Sequence, residues 1–230
     1  MRSEEVNGIL VAAHDLKAPL ALMRQLALSL DLADDQPTRQ RIQAQLISVS
    51  ERAIRQVNDL AKIARLEDGL FEMEPLSVRN LCDEVARELR PLFRYENRRL
   101  GLAFNNRSRL AIANRDLLYS IIYNFCTNAI RYSDRDTASI LTVADARDKI
   151  RIGVRDFGPA LPPKIWRALR QGTFNAPTSI AMRPGSSGLG LYIASEFARH
   201  MRAQLGAIRH RDGTSFFIDL PVSNQMSLAL

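Results

Sequence analysis

A chain of 230 residues, 46% hydrophobic and 25% charged, has room for one large or two smaller globular domains and is too apolar for a disordered chain. Its net charge of +7 comes with only 7% aromatic residues and no basic run interleaved with them; this argues against a nucleic-acid partner and leaves an acidic partner, a polyphosphate substrate or a plain arginine-rich surface. Two cysteines without a CxxC partner and only three histidines argue against a structural zinc site, and no apolar run approaches the ~20 residues that cross a bilayer.

Residues 4 to 68 read as two long helices. In the first, Ile9, Leu16, Leu20, Met23, Ala27 and Leu30 recur at spacings of 7, 4, 3, 4 and 3. In the second, Ile42, Leu46, Val49, Ala53, Gln56, Leu60 and Ile63 repeat the pattern, the a/d stripe of a coiled coil or bundle. Asp34-Asp35-Gln36-Pro37-Thr38 separates them, with Pro37 expected to stop the first helix. Two helices cannot enclose two full-length seams, so a second copy is expected to complete a four-helix bundle; a helical linker packed on its own second domain is the rival reading.

Gly69 and Pro75 mark a linker that leads into a short strand. From there the pattern is mixed. Ser77 caps an amphipathic helix to Arg90, through Leu81, Val85, Ala86 and Leu89. A second helix spans Asp116 to Ser133. Ser139 to Val143 and Lys149 to Arg155 alternate as a strand hairpin. Phe157 to Ser187 is Pro/Gly-rich and weakly periodic, as functional loops often are. Gly190 to Met201 returns to helix, and Gln204 to Pro221 forms two strands turning at Asp212-Gly213. Helices and antiparallel strands without a βαβ repeat fit an α/β two-layer sandwich. The boundaries expected are a helical hairpin over 1–68, a linker over 69–76, a second domain over 77–222 and a tail over 223–230.

Two groups of residues carry chemistry. His14 lies mid-helix beside Asp15, on the flank of the apolar stripe. A carboxylate there can fix the imidazole tautomer and leave the other nitrogen nucleophilic, although a surface His beside an Asp usually does nothing. Pro19 bends the helix just below. The second group begins with Asn124 and Asn128 at i, i+4 on one helix face. They suit a hard cation with few protein ligands, or serve as hydrogen-bonded core polars. Arg131 and Tyr132 follow, a phosphate-pairing cation and a stacking ring. Asp156 ends a strand before Phe157-Gly158-Pro159, where Gly allows unusual backbone angles and close approach of a ligand. Gly185-Ser-Ser-Gly-Leu-Gly190 opens a helix whose free N–H groups can hold phosphate. Asp156-Phe157-Gly158 lacks the companions of a eukaryotic-type kinase, and Ile193 occupies the third glycine position of a dinucleotide fingerprint.

HDLKAPL (from His14) resembles the H-box of the dimerisation and phosphoacceptor domain of sensor histidine kinases, and VNDLAKIARLEDG (from Val57) is similar to the stretch that ends that domain. NFCTNAIRYS, VRDFGPALP and GSSGLGLYIA resemble, in order, the N, G1 and G2 boxes of the histidine-kinase ATP-binding domain, a group shared with Hsp90, gyrase and MutL. The resemblance covers about Glu4 to Val222. It implies a dimeric four-helix bundle followed by a Bergerat-type α/β sandwich that binds ATP and Mg²⁺ under a lid over 159–187. His14 would accept phosphate and Asp15 activate it. Asn128 would ligate Mg²⁺, Asn124 and Arg131 face the phosphates, Tyr132 contact the nucleotide and Asp156 accept the adenine amino group, with Gly158 beside it. Gly188, Leu189 and Gly190 would open the helix behind the lid.

Three departures stand out. Ala18 replaces the Thr or Asn that orients water for dephosphorylating the partner, Ala160 replaces the second G1 glycine, and Phe174 is the remnant of the lid phenylalanine motif. The function implied is autophosphorylation on His14 in a cytoplasmic homodimer, then transfer to an aspartate of a response-regulator receiver domain. A degenerate kinase acting as a dimeric docking scaffold is the alternative, and a stand-alone ATPase a more distant one, because it needs no H-box hairpin.

Overall fold

A computed structural model describes residues 2–105, 109–133, 137–163, 166–167 and 188–226, with side chains described from Leu16 and not at 224–226. The chain falls into two compact units, one holding Met1–Arg65 and Asn175–Tyr192, the other Leu66–Phe174 and Ile193–Leu230.

The first unit is built on a helical hairpin, α1 (Arg2–Asp31) against α2 (Gln36–Ala64). Asp35 is the N-cap of α2, its carboxylate accepting the Thr38 N–H at 2.7 Å, and this bond lowers the pKa of Asp35. Pro37 belongs to the first turn of α2 rather than to the end of α1. That corrects the expectation that it stops the first helix: a proline is tolerated where the N–H has no partner anyway. Pro19 is carried inside α1. Ile42 and Ala53 of the expected α2 seam are buried, and Leu46, Val49, Leu60 and Ile63 are half-buried. On α1, Leu16, Met23 and Leu30 are half-buried, whereas Leu20 and Ala27 are exposed. Leu22, Leu28, Ile47, Ile54 and Val57 are also exposed.

The second unit is a mixed sheet with helices on one face. A 3-10 turn (Leu66–Asp68) ends at Gly69, whose φ of 71° is the left-handed terminator that glycine adopts without strain. There follow β1 (Glu74–Leu76), α3 (Val78–Tyr95), β2 (Arg99–Asn105), β3 (Arg109–Ala113), α4 (Arg115–Tyr132), β4 (Ala138–Ala146), β5 (Lys149–Asp156), α5 (Leu189–His200, which belongs to this unit from Ile193 on), β6 (Gln204–His210) and β7 (Gly213–Met226). The strand order is β1-β3-β7-β5-β4-β2, with β6 also paired to β7. The long β7 serves two neighbours in turn, β6 along its first half and β3 beyond Val222. Its run to Met226 passes the Pro221 at which the sequence reading ends it.

The β4–β5 and β6–β7 hairpins are as expected. Two strands, β2 and β3, were not anticipated, and β2 pairs with β4 in parallel, so the sheet is not purely antiparallel. Alternation sends Leu141, Val143, Ile150, Ile152, Val154, Phe216, Ile218 and Leu220 inward. α4 covers β4 and β5, and α3 lies beside it over β2 and β4. Phe93, Phe125 and Phe197 are fully buried; each contributes about 1.5–3 kcal/mol by leaving water. The other sheet face is polar. Arg151 there pairs with Asp219 through two bonds of 2.7 and 2.8 Å and lies 3.8 Å over the Phe217 ring. Cys82 and Cys126 are free and buried in the helix layer, and burial pushes the Cys126 thiol up to about 12.

Candidate nucleotide site

The site is assembled where α4 ends and β5 ends. Asn114 caps α4 by accepting the N–H groups of Asp116 and Leu117 at 3.1 Å, and its own amide donates to the Glu72 carbonyl at 3.0 Å. Leu117, Ile121, Phe125 and Ala129 hold the helix on the sheet, with Phe125 against Phe216 at 5.9 Å between ring centroids. That fixes the rotation of α4, so Asn124, Asn128 and Tyr132 share a half-buried face one turn apart, as their spacing predicts. Arg131 is exposed, its guanidinium 5.8 Å from the Tyr132 ring centroid. The Asn124 side-chain nitrogen is buried and has no hydrogen-bond partner among the described residues. A buried donor left so costs about 1–3 kcal/mol, and an acceptor from a ligand would relieve it.

Asp156 terminates β5 at 1% exposure, and one carboxylate oxygen accepts the Gly158 N–H at 3.1 Å. A Cβ on Gly158 would stand 2.1 Å from the Tyr132 carbonyl oxygen. Space is therefore what requires glycine here; Gly158 is not among the positive-φ residues, which corrects the expectation of an unusual backbone angle. Ala160 shows no positive φ either. Ser133, the C-cap of α4, accepts the Phe157 N–H on its hydroxyl at 3.2 Å. The structure thus brings the Asn124–Tyr132 helix end and the Asp156–Gly158 turn together.

Sequence reasoning missed Thr214. It pairs with Asp156 across the β5–β7 ladder, is fully buried, and its hydroxyl has no partner among the described residues. The Asp212-Gly213 turn was legible, and its consequence for Thr214 follows from it. Gly213 has φ 150°, and a Cβ there would lie 2.1 Å from the Asp156 carbonyl. Only glycine lets β7 start so close to the end of β5.

At the same sheet end Arg155 pairs with Asp212 at 2.5 Å and lies 4.7 Å over Phe157. His210 shares a hydrogen bond of 2.9 Å with Ser215. Burial lowers the His210 pKa and Arg155 lowers it further, against Asp212 and Asp156.

Gly188 precedes α5 with φ 78°, its carbonyl accepting the Tyr192 N–H at 3.1 Å; Leu189 is fully buried and Gly190 half-buried. His14 and Asp15 fall within α1, and their side chains lie outside the described residues, as does Phe174 with most of the expected lid. No cluster of three His, Cys, Asp or Glu suits a metal ion among the described residues.

Residues 113–224 match the model of the histidine kinase-, DNA gyrase B- and HSP90-like ATPases. The histidine protein kinase SaeS of Staphylococcus aureus (strain USA300) is 27% identical over 227 residues, covering 95% of this chain and 64% of SaeS. The chain therefore spans less than two thirds of that relative. Full-length ShkA in complex with AMPPNP superposes with a TM-score of 0.63 at 21% identity, over 96% of this chain and 47% of ShkA. Histidine kinase ThkA in complex with the response regulator TrrA gives 0.62 at 16% identity, over 92% of this chain and 60% of that one. Residues 113–224 form an ATPase domain of the histidine kinase-, DNA gyrase B- and HSP90-like type, and the likeness of the whole chain to SaeS supports a sensor histidine kinase.

Proposed function

We propose that this chain is the catalytic core of a two-component sensor kinase that moves the γ-phosphoryl group of ATP onto His14 and then onto a response-regulator aspartate. The observation that carries the reading is the Asp156–Gly158 turn clamped against the end of α4, with the buried Asn124 amide donor lacking a partner among the described residues. Asp156 supplies a buried acceptor for the adenine amino group. Asn124 and Arg131 face the phosphates, and Tyr132 packs on the nucleotide. Gly188, Leu189 and Gly190 present the start of α5.

Asn128 would hold Mg²⁺, which suits an ion that keeps its waters and takes most of its ligands from phosphates. When bound, Mg²⁺ supplies charge neutralisation at the β- and γ-phosphates. The His14 ring nitrogen attacks the γ-phosphorus in line, the bond to the β-phosphate oxygen breaks, ADP leaves, and the ring proton passes to Asp15. The receiver aspartate then takes the phosphoryl group from His14; ThkA, a structural neighbour, is found with a response regulator. Exposed Ala18 offers no hydrogen-bonding group to a hydrolytic water, so phosphatase activity of the usual kind is not expected.

The hairpin, proposed as 1–68, acts as a homodimer, joined through 69–76 to the ATP-binding domain over 77–222, with 223–230 as a tail. No helix among the described residues is long and apolar enough to cross a membrane; a cytoplasmic location is proposed. The scaffold alternative rests on exposed Ala160 in place of the second G1 glycine.

Incubation with γ-labelled ATP is expected to give acid-labile, base-stable label that disappears in His14→Gln. No label despite ADP binding would favour the scaffold, and phosphate release without labelled protein would favour an ATPase. Asn128→Ala is expected to abolish labelling, and normal labelling of that variant would overturn the metal assignment.

A further inference from the structure

We infer that Ser133 is a positioning residue for the nucleotide site, a clip that fastens the Asp156–Gly158 turn to the end of α4 through its hydroxyl. The inference rests on the nucleotide-binding reading above and adds the device that sets the site's geometry.

Ser133 is 3% exposed, yet it ends a helix, where a polar side chain would ordinarily turn to water. Its groups are engaged on three sides. The hydroxyl accepts the Phe157 N–H at 3.2 Å and lies 3.2 Å from the Ser139 hydroxyl, itself 1% exposed. A serine oxygen has one proton and two lone pairs, so it satisfies both neighbours at once. The Ser133 carbonyl receives the Arg98 guanidinium, and its N–H donates to the Ala129 carbonyl at 3.0 Å. Arg98 lies between α3 and β2, immediately before β2, and Ser139 is the second residue of β4, one residue before Ile140, the partner of Arg155. Ser133 therefore ties α4 to the segment after α3, to β4 and to the chain leaving β5.

The geometry explains why a tie is needed there. Phe157 lies past the end of the β5 ladder, which stops at Asp156, so no strand partner fixes its N–H. Gly158 is pressed against the Tyr132 carbonyl with no room for a Cβ. Such a close approach holds only if something draws the turn inward, and the Phe157–Ser133 bond acts one residue away on each chain. Asp156, Phe157 and Gly158 are thereby held against Tyr132 and Ser133, so the distance from the Asp156 carboxylate to the Asn124–Tyr132 face depends on this bond. Ser133 need not touch ligand to matter; it sets where Asp156 stands.

The test uses the full chain with ADP as probe, in calorimetry and in amide hydrogen exchange of the ligand-free protein. Ser133→Ala is expected to weaken ADP binding about tenfold, the effect of one lost buried hydrogen bond. It should speed exchange of the Phe157 amide about as much while Ile152 and Val154 keep their protection. Ser139→Ala leaves the Phe157 acceptor in place and is expected to cost about threefold or less. The double variant should bind no more weakly than Ser133→Ala.

A purely structural role would lower the melting temperature and loosen the sheet amides together, with ADP affinity unchanged in the cold; that result overturns the clip. Unchanged Phe157 exchange in Ser133→Ala overturns it as well. If Ser133→Ala does not fold, Ser133→Cys decides, since a thiol of similar size is only a weak acceptor: a loss of ADP affinity with faster Phe157 exchange supports the clip, and neither change sinks it. Wild-type protein that gives no heat with ADP would instead bring down the nucleotide reading, and the inference with it.

Discussion

Contacts at the level of single atoms decide whether the end of β5 is a binding site or an ordinary turn. Gly158 has no freedom to become anything larger. Its missing Cβ is the space occupied by the Tyr132 carbonyl, a backbone atom that cannot rotate away as a side chain would. Gly158→Ala must push the turn off α4, stretching the Ser133–Phe157 bond and displacing Asp156. Overpacking of this kind typically costs about 1–3 kcal/mol. The expected outcome is a lower melting temperature together with loss of ADP binding by calorimetry. A variant that melts lower but binds ADP as the wild type does would show that the close contact serves stability alone.

Elements were legible in proportion to how local their determinants are. The Ser77 cap, the 3.6-residue periodicity of α3 and α4 and the Asp212-Gly213 turn are written within a few residues of where they act, and they appear where expected; the Asn114 cap is equally local but was not anticipated. β2 (RLGLAFN) carries Gly101 and little β-branched character, and β3 (RLAIA) is five residues long, so neither stands out against a loop. The parallel pairing of β2 with β4 depends on partners about 40 residues apart, and no local pattern encodes it. For the same reason the N and G1 motifs were readable as strings, while the meeting of Ser133 with Phe157 and of Thr214 with Asp156 was not. α4 offers the clearest element-level test. Asn114 serves both as its N-cap and as a donor to the Glu72 carbonyl in the segment before β1. Asn114→Ala loses both roles, and the cap alone is worth about 1 kcal/mol. For a domain of this size that lowers the melting temperature by about 2–4 °C. ADP affinity should change little, because the cap lies nearly three turns before Asn124; an unchanged melting curve would refute the dual role.

At the scale of the whole molecule, the question is what covers the hairpin. α1 and α2 bury Ile42 and Ala53 and half-bury Leu16, Met23, Leu30, Leu46 and Val49 between them. The pair does not consume its apolar surface. Ile54 is 60% exposed and Ile47 56%, seven residues apart on α2, and Val57 follows three residues later. On α1, Leu20 at 58% and Leu28 at 56% are exposed eight residues apart. Scattered exposed leucines need no explanation, but the 7-and-3 spacing of Ile47, Ile54 and Val57 on α2 repeats the interval of a packed helical seam. Antiparallel pairing of two hairpins would place these positions inside a four-helix bundle, each returning about 1.5–3 kcal/mol on burial. Ile54→Glu puts a charge at that buried position on both copies at once. Sedimentation velocity is expected to show a dimer for the wild-type chain and a monomer for Ile54→Glu, with ADP binding retained because Asp156 and α4 belong to the other compact unit. Label transfer to His14 would then report the arrangement: if each copy phosphorylates its partner, the monomeric variant loses labelling, and if each acts on itself, labelling survives. A wild-type chain that sediments as a monomer over the micromolar range would leave the second apolar stripe without its proposed occupant and would refute the bundle.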